Sequence, residues 1–398
     1  MKYPDLVKHE FRRLYNDSPL LVRSPGRINL IGEHTDYNMG YVLPAAIDRA
    51  VYFAVGPRRD QRCTLHALDM NEQVQFTFEH LEHSNSGWPN YLMGVVDQLF
   101  RAGLSIPGFN CVFAGDIPIG AGLSSSAAIE AGLAFALNKI FALGLDSLSL
   151  VKLAQKAENE FVGVKCGIMD MYVNMFGSRN NVLRIDCRTL EHTLYPFDFP
   201  QTSIVLLDTG VSHSLASSQY NQRREECFEG VKIIRKRHAG VTHLRDVTME
   251  MVEECKDAMN DPIYRRCKYV VGEDLRVLDS CKALERGDLQ AFGTLLSETH
   301  VGLRDDFEVS CRELDYLVDL LKGEPHVFGS RMTGGGFGGC TLNIVENEDI
   351  ERVCNMAAEK YKQKFNIDLK PFVISIGPGT SVIRESQQET ANQRLNPA

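Results

Sequence analysis

Pro118-Ile-Gly-Ala-Gly-Leu-Ser-Ser-Ser-Ala-Ala128 is the stretch from which the fold is read. Gly120 and Gly122 let the backbone bend and approach a ligand with no Cβ in the way. Ser124, Ser125 and Ser126 then stand where an alanine-rich helix begins, predicted over 124–143. Unpaired backbone N–H groups, hydroxyl donors and the positive end of a helix dipole would meet there, which suits a polyphosphate. A serine-capped helix behind a glycine turn needs no ligand. Three serines behind two glycines exceed what a cap requires. No Gly-x-x-x-x-Gly-Lys-Ser/Thr occurs, so the loop is not of the Walker type.

Outward from this loop, Phe109-Asn-Cys-Val-Phe-Ala-Gly115 reads as the strand that leads into it, and 149–162 as a second helix. Upstream, Val42-Leu43 and Ala50-Val-Tyr-Phe-Ala-Val55 are strand candidates. Downstream, 182–186 and 204–209 are strand-like, charged helical stretches dominate 220–322, and late strands fall at 341–345 and 371–376. Strands and helices mixed without strict alternation predict an α+β fold in two lobes. At 398 residues the chain exceeds what one core usually supports. We divide it at 1–190 and 191–398. The polar tail from residue 385 is expected to fray.

A second cluster, Gly329-Ser-Arg-Met-Thr-Gly-Gly-Gly-Phe-Gly-Gly-Cys340, has Gly-x-Gly-x-x-Gly spacing at Gly334, Gly336 and Gly339. A dinucleotide fingerprint opens a helix; here 340–345 reads as a strand, so that reading fails on context. A loop close to a substrate or to another loop remains.

Ser24-Pro-Gly-Arg-Ile-Asn-Leu-Ile-Gly-Glu-His-Thr-Asp-Tyr-Asn38 gathers Arg27, Glu33, His34 and Asp36 within ten residues. Carboxylates at a strand end suit vicinal sugar hydroxyls, from which each accepts hydrogen bonds. Composition alone favours a solvated turn, since these residue types are common in loops. A metal site has less support, with one His and no second ligand cluster.

A net charge of −9 speaks against nucleic acid or an anionic membrane as partner. The charged N-terminus lacks a signal-peptide core, and Glu130, Asn138 and Lys139 interrupt the most apolar segment, so no membrane span is expected. Eleven scattered cysteines without Cys-x-x-Cys or His-Glu-x-x-His read as free thiols in a reducing cytoplasm.

Taken together, the three motifs resemble the galactokinase branch of the family that also contains homoserine, mevalonate and phosphomevalonate kinases. Residues 25–38 look like its sugar signature, 120–127 like its ATP loop and 333–339 like its third motif, in matching order over roughly 20–380. The resemblance implies an N-terminal α/β lobe and a C-terminal ferredoxin-like lobe around a cleft. It implies ATP-dependent phosphorylation of the anomeric hydroxyl of galactose, by a cytoplasmic monomer. Cys166-Gly-Ile-Met-Asp170 is similar to the stretch carrying the catalytic aspartate, so Asp170 is the candidate base with Arg27 beside it. Glu33, His34, Asp36, Gly167 and Tyr220 match sugar contacts. Gly120, Ala121, Gly122, Leu123, Ser124, Ser125 and Ser126 match the ATP loop, and Ser126 and Glu158 the Mg²⁺ ligands. Tyr220 ends a galactokinase-like stretch that begins at Ser214.

Two positions depart from the pattern: Met171 stands where Gln is usual, and His66-Ala-Leu-Asp69 replaces a segment near the nucleotide. Trp88 is either a base contact or a packing anchor. The alternatives are an N-acetylgalactosamine kinase, which Cys166-Gly-Ile-Met-Asp170 disfavours, and a non-catalytic galactose sensor, which the complete 124–128 stretch disfavours.

Overall fold

The computed structural model describes residues 1–78, 81–85, 87–118, 120–212 and 216–384. Ile119, Ser214 and the tail from residue 385 lie outside the described residues. The first half runs α1 (Tyr3–Tyr15), β1 (Leu20–Asn29), β2 (Tyr41–Val42), β3 (Pro44–Pro57), β4 (Arg62–Ala67), β5 (Glu72–Thr77), α2 (Trp88–Arg101), β6 (Phe109–Gly115), α3 (Ser125–Ile140), α4 (Ser147–Lys156) and α5 (Met169–Phe176). Then come β7 (Asn181–Asp186), β8 (Glu191–Pro196), β9 (Thr202–Ser212), α6 (Ala216–Arg235), α7 (Met249–Glu254), α8 (Asp261–Glu285), α9 (Leu289–Val301), α10 (Arg312–Leu321), β10 (Val327–Met332), β11 (Gly338–Glu346), α11 (Ile350–Phe365), β12 (Lys370–Ile374) and β13 (Ser381–Val382).

The first sheet has the order β13-β1-β3-β6-β4-β5, with β4 parallel to β6 and every other pair antiparallel. One face is covered by α1, where Val7 and Phe11 meet Leu21, Ala54 and Val112. The other carries the main core, in which Phe53, Val55 and Phe113 join Leu92, Val96, Leu133 and Leu137 of α2 and α3. Alternation along β3 feeds both faces, as period-two side chains must.

The second sheet, β10-β11-β9-β12, is antiparallel throughout. Its first and last strands in the chain, β9 and β12, pair centrally and at one edge, and the β10–β11 hairpin fills the other side. That is the ferredoxin-like arrangement. The helices α10 and α11 bury Leu317, Val353 and Tyr361 on it.

Two strand pairings cross the division placed at residue 190. It falls in the turn between the paired strands β7 and β8, and β13 returns to hydrogen-bond β1, pairing Val382 with Val22. The predicted 149–162 helix also changes character: α4 ends at Lys156 and a π-helical turn, Ala157–Val162, follows. Such wide turns recur where a side chain must be re-aimed. Among the described residues no helix is long and apolar enough to cross a membrane, and all eleven cysteines are free.

Candidate active site

Past β1 the chain leaves the sheet at Gly32, whose φ of +96° and closeness to the Tyr41 carbonyl admit no side chain. Two consecutive acids of α8 hold the ends of the loop that follows. Glu273 accepts the Gly32 N–H at 2.9 Å, and Asp274 accepts the Tyr41 N–H at 2.7 Å. The solvated turn that composition favours here is not what forms. Glu33 and His34 are only 3% and 5% exposed.

Their burial is possible because each polar group has a partner. Glu33 Oε1 accepts from the fully buried Arg331 and from the Gly334 N–H, both at 2.8 Å. Burial pushes His34 down to about 4, so the ring is neutral near pH 7. Its Nε2 lies 3.2 Å from the Gly335 carbonyl, which can only accept. The ring proton therefore sits on Nε2, and Nδ1 accepts from the Tyr37 hydroxyl at 2.9 Å. Asp36 is pushed up to about 6 by burial and by neighbouring Asp170. Opposite it, a Cβ on Gly167 would fall 1.6 Å from Asp36 Oδ2.

Asp170 lies in the first turn of α5 and meets Arg27 face to face. Arg27 Nε donates to Oδ1 and Nη2 to Oδ2, each at 2.7 Å. Arg27 also ties down the glycine-serine loop. Its Nη1 donates to the Gly122 carbonyl at 2.6 Å and its backbone N–H to that of Leu123 at 3.1 Å. Gly120 and Gly122 have φ of +79° and +75°, Ala121 and Leu123 are buried beneath them, and α3 starts at Ser125. Ser124 adopts φ +56° and makes no capping bond; its hydroxyl donates to Asp170 instead.

Ser126 faces Glu158 on the π turn, and burial and Asp170 raise that carboxyl to about 7. Behind it lies Glu130, fully buried, whose carboxyl is pushed well up by burial and by the neighbouring Glu158. The second glycine cluster links β10 to β11 and lies against the first: a Cβ on Gly334 would meet the Gly122 carbonyl at 3.3 Å. From α6, Tyr220 brings its ring 5.2 Å from that of His34.

Arg27, Glu33, His34, Asp36, Glu158, Gly167, Asp170 and Tyr220 thus line one cavity of about 190 Å³. Sequence reasoning missed Arg331, Glu273, Asp274 and Tyr37. Arg331 lies inside a motif read only for its glycines, and the others look like ordinary helix or loop residues. Met171, beside Asp170, is buried in the core under α5 and does not line the cavity. Trp88 stacks edge-on against Phe113 and donates to Glu72 at 2.6 Å, and Asp69 accepts the Gly115 N–H.

Residues 9–57 match the galactokinase galactose-binding signature, 90–178 the GHMP kinases N terminal domain and 281–363 the GHMP kinases C terminal model. A galactokinase from Roseiflexus sp. is 41% identical over 356 residues, spanning 89% of this chain and 91% of that protein. This chain belongs to the galactokinase family. A second galactokinase, from Clostridium beijerinckii, is 39% identical over 96% of this chain and 100% of its own length. A solved galactokinase from Lactococcus lactis, complexed with galactose, superposes with a TM-score of 0.91 at 32% identity, covering 95% of this chain and 99% of that one. Galactokinase-family membership makes the chain a kinase with ATP as phosphoryl donor and accounts for its two-lobed α+β fold.

Proposed function

We infer that the chain transfers the γ-phosphoryl group of ATP to the anomeric hydroxyl of galactose, giving galactose 1-phosphate and ADP. The observation that carries this reading is the bidentate Arg27–Asp170 pair, set between a carboxylate-lined cavity and the glycine-serine loop. In this reading galactose lies against Glu33, His34, Asp36, Gly167 and Tyr220, with its anomeric oxygen toward Asp170. The ATP phosphates lie over residues 120–126, where glycine turns and the N-terminus of α3 present donors. Arg27 grips both carboxylate oxygens of Asp170 and faces the charge that develops on the transferring group.

The Ser126 hydroxyl and the Glu158 carboxylate are hard oxygen donors of the kind Mg²⁺ takes, and they approach each other at the helix start. Bound there, Mg²⁺ would neutralise phosphate charge. In a loose phosphoryl transfer, positioning and charge neutralisation outweigh full removal of the hydroxyl proton, so Asp170 chiefly orients the nucleophile. A monomer resident in the cytoplasm completes the proposal, with the oligomeric part checked by light scattering on the purified protein.

The test is ADP release from ATP and Mg²⁺ with galactose, N-acetylgalactosamine, glucose or no sugar. Turnover specific to galactose supports the reading. Galactose binding without ADP release, or turnover only with another sugar, overturns it.

A further inference from the structure

Beyond the sugar cavity, across a wall made by Asp36, Cys166 and Gly167, lies a larger groove of about 760 Å³. None of the chemistry above uses it. Five cationic side chains line it, Arg101, Lys152, Lys156, Arg188 and Arg224, against the single carboxylate of Asp36. Two of the five are already neutralised: Arg101 pairs with Asp97 at 2.7 Å and Arg188 with Asp246 at 2.5 Å.

The other three carry the argument. Lys152 and Lys156 are exposed, one turn apart on α4, and neither has an ion-pair partner among the described residues. Like charges at that spacing repel on a bare helix. Solvated lysines alone would account for α4, but not for Arg224. That guanidinium is half-buried, donates to the Lys165 carbonyl at 2.9 Å, and lies over the rings of Tyr37 and Phe228 at 6.0 and 5.4 Å; it makes no salt bridge among the described residues and acts only at longer range on Asp36. In a protein of net charge −9, three cations outside any salt bridge around one concavity, with Asp36 and Asp146 acting on them at longer range, leave a local positive field.

The rest of the lining narrows the ligand. The Gln155 and Asn159 amides offer hydrogen bonds suited to hydroxyl groups. Tyr37, the aromatic residue of the lining, is 5% exposed and lies beneath Arg224, so it offers no free face on which a base could stack. We propose that this groove is a binding site for a phosphorylated sugar, its phosphate held by Lys152, Lys156 and Arg224 and its hydroxyls by the neighbouring amides. The site is separate from the proposed catalytic cavity, and the inference does not depend on the sugar-kinase reading.

Glucose 6-phosphate serves as the probe, with binding followed by calorimetry and by the shift in Tm without ATP, against sodium chloride of equal ionic strength. Inorganic phosphate is a second arm. Wild-type protein should bind the sugar phosphate more tightly than inorganic phosphate. The Lys152→Ala/Lys156→Ala double variant should bind it at least about fivefold more weakly, through loss of charge-assisted bonds, while its ADP release with galactose stays at the wild-type rate. Lys152→Gln/Lys156→Gln, which keeps the stems and loses the charge, should match the alanine variant. Equal affinity in wild type and both variants, a wild-type response no larger than that to sodium chloride, or equal affinity for inorganic phosphate would each overturn the proposal.

Discussion

Gly167 shows how tightly single residues are specified around the cavity. The smallest side chain placed there would overlap the Asp36 carboxylate, so Gly167→Ala must displace one of the two. A displacement near 1 Å in a positioned site costs up to about a hundredfold. We expect the galactose KM to rise by tenfold or more, on the order that such misplacement implies, with the ATP KM unchanged; steady-state kinetics in both substrates checks this. Asp170→Ala should lower kcat by about 10²-fold or more, the cost of a nucleophile left unpositioned, and near-normal kcat would sink its assignment. Residues of this kind were legible only through the family resemblance. Alone, Asp170 is an acid on a short helix, Glu158 another, and Tyr220 a tyrosine in a polar helix.

Between elements, the decisive contact is the grip of α8 on the sugar loop. Glu273 takes the Gly32 N–H, the Thr299 hydroxyl and Arg276 inside the protein, where it is fully buried. Removing it leaves Arg276 and two donors without their acceptor. Glu273→Ala should therefore destabilise by about 3–5 kcal/mol, as breaking a buried pair does. Glu273→Gln, which keeps an acceptor for Gly32, should lose less; denaturant titration of the two variants measures the difference. Glu273 and Gly32 are 241 positions apart, and no local pattern marks such a pair. By contrast the strand–loop–helix around 109–140 and the strand that follows the second glycine cluster were readable, because turn residues and apolar runs act within a few residues of themselves. The π turn at Ala157–Val162 was not, since a single turn widened to i→i+5 bonding shifts the apolar spacing by too little to stand out from an α-helix.

For the molecule as a whole, buried carboxyls set the response to pH. Burial raises Asp274 to about 7, with Glu273 and Asp186 adding to the rise and the Tyr41 N–H and Arg245 opposing it; Asp36, at about 6, shifts the same way. At these two carboxyls the folded chain holds protons that the unfolded chain releases near pH 4, so their share of the stability falls as pH rises from about 4 to about 7 and then levels, while His34, buried neutral, works in the opposite sense. Asp274→Asn removes the buried charge but keeps an acceptor for the Tyr41 N–H. It should flatten the fall in unfolding free energy between pH 5 and 8, by on the order of a few kcal/mol for a shift of this size, as denaturant titration at each pH would measure. An unchanged slope would exclude Asp274 as its source.

What the amino-acid order determined by itself was local: two glycine loops, the helix behind the first, the strand after the second, and an α+β chain too long for one core. What only the tertiary structure decided was which of these meet. The turn at residues 32–41 is buried because Arg331, Gly334, Glu273 and Asp274 arrive from the far half of the chain to satisfy it. The last strand closes the first sheet rather than the second. Backbone conformation follows from neighbours along the chain, whereas burial, ion pairing and the protonation of carboxyls follow from neighbours in space.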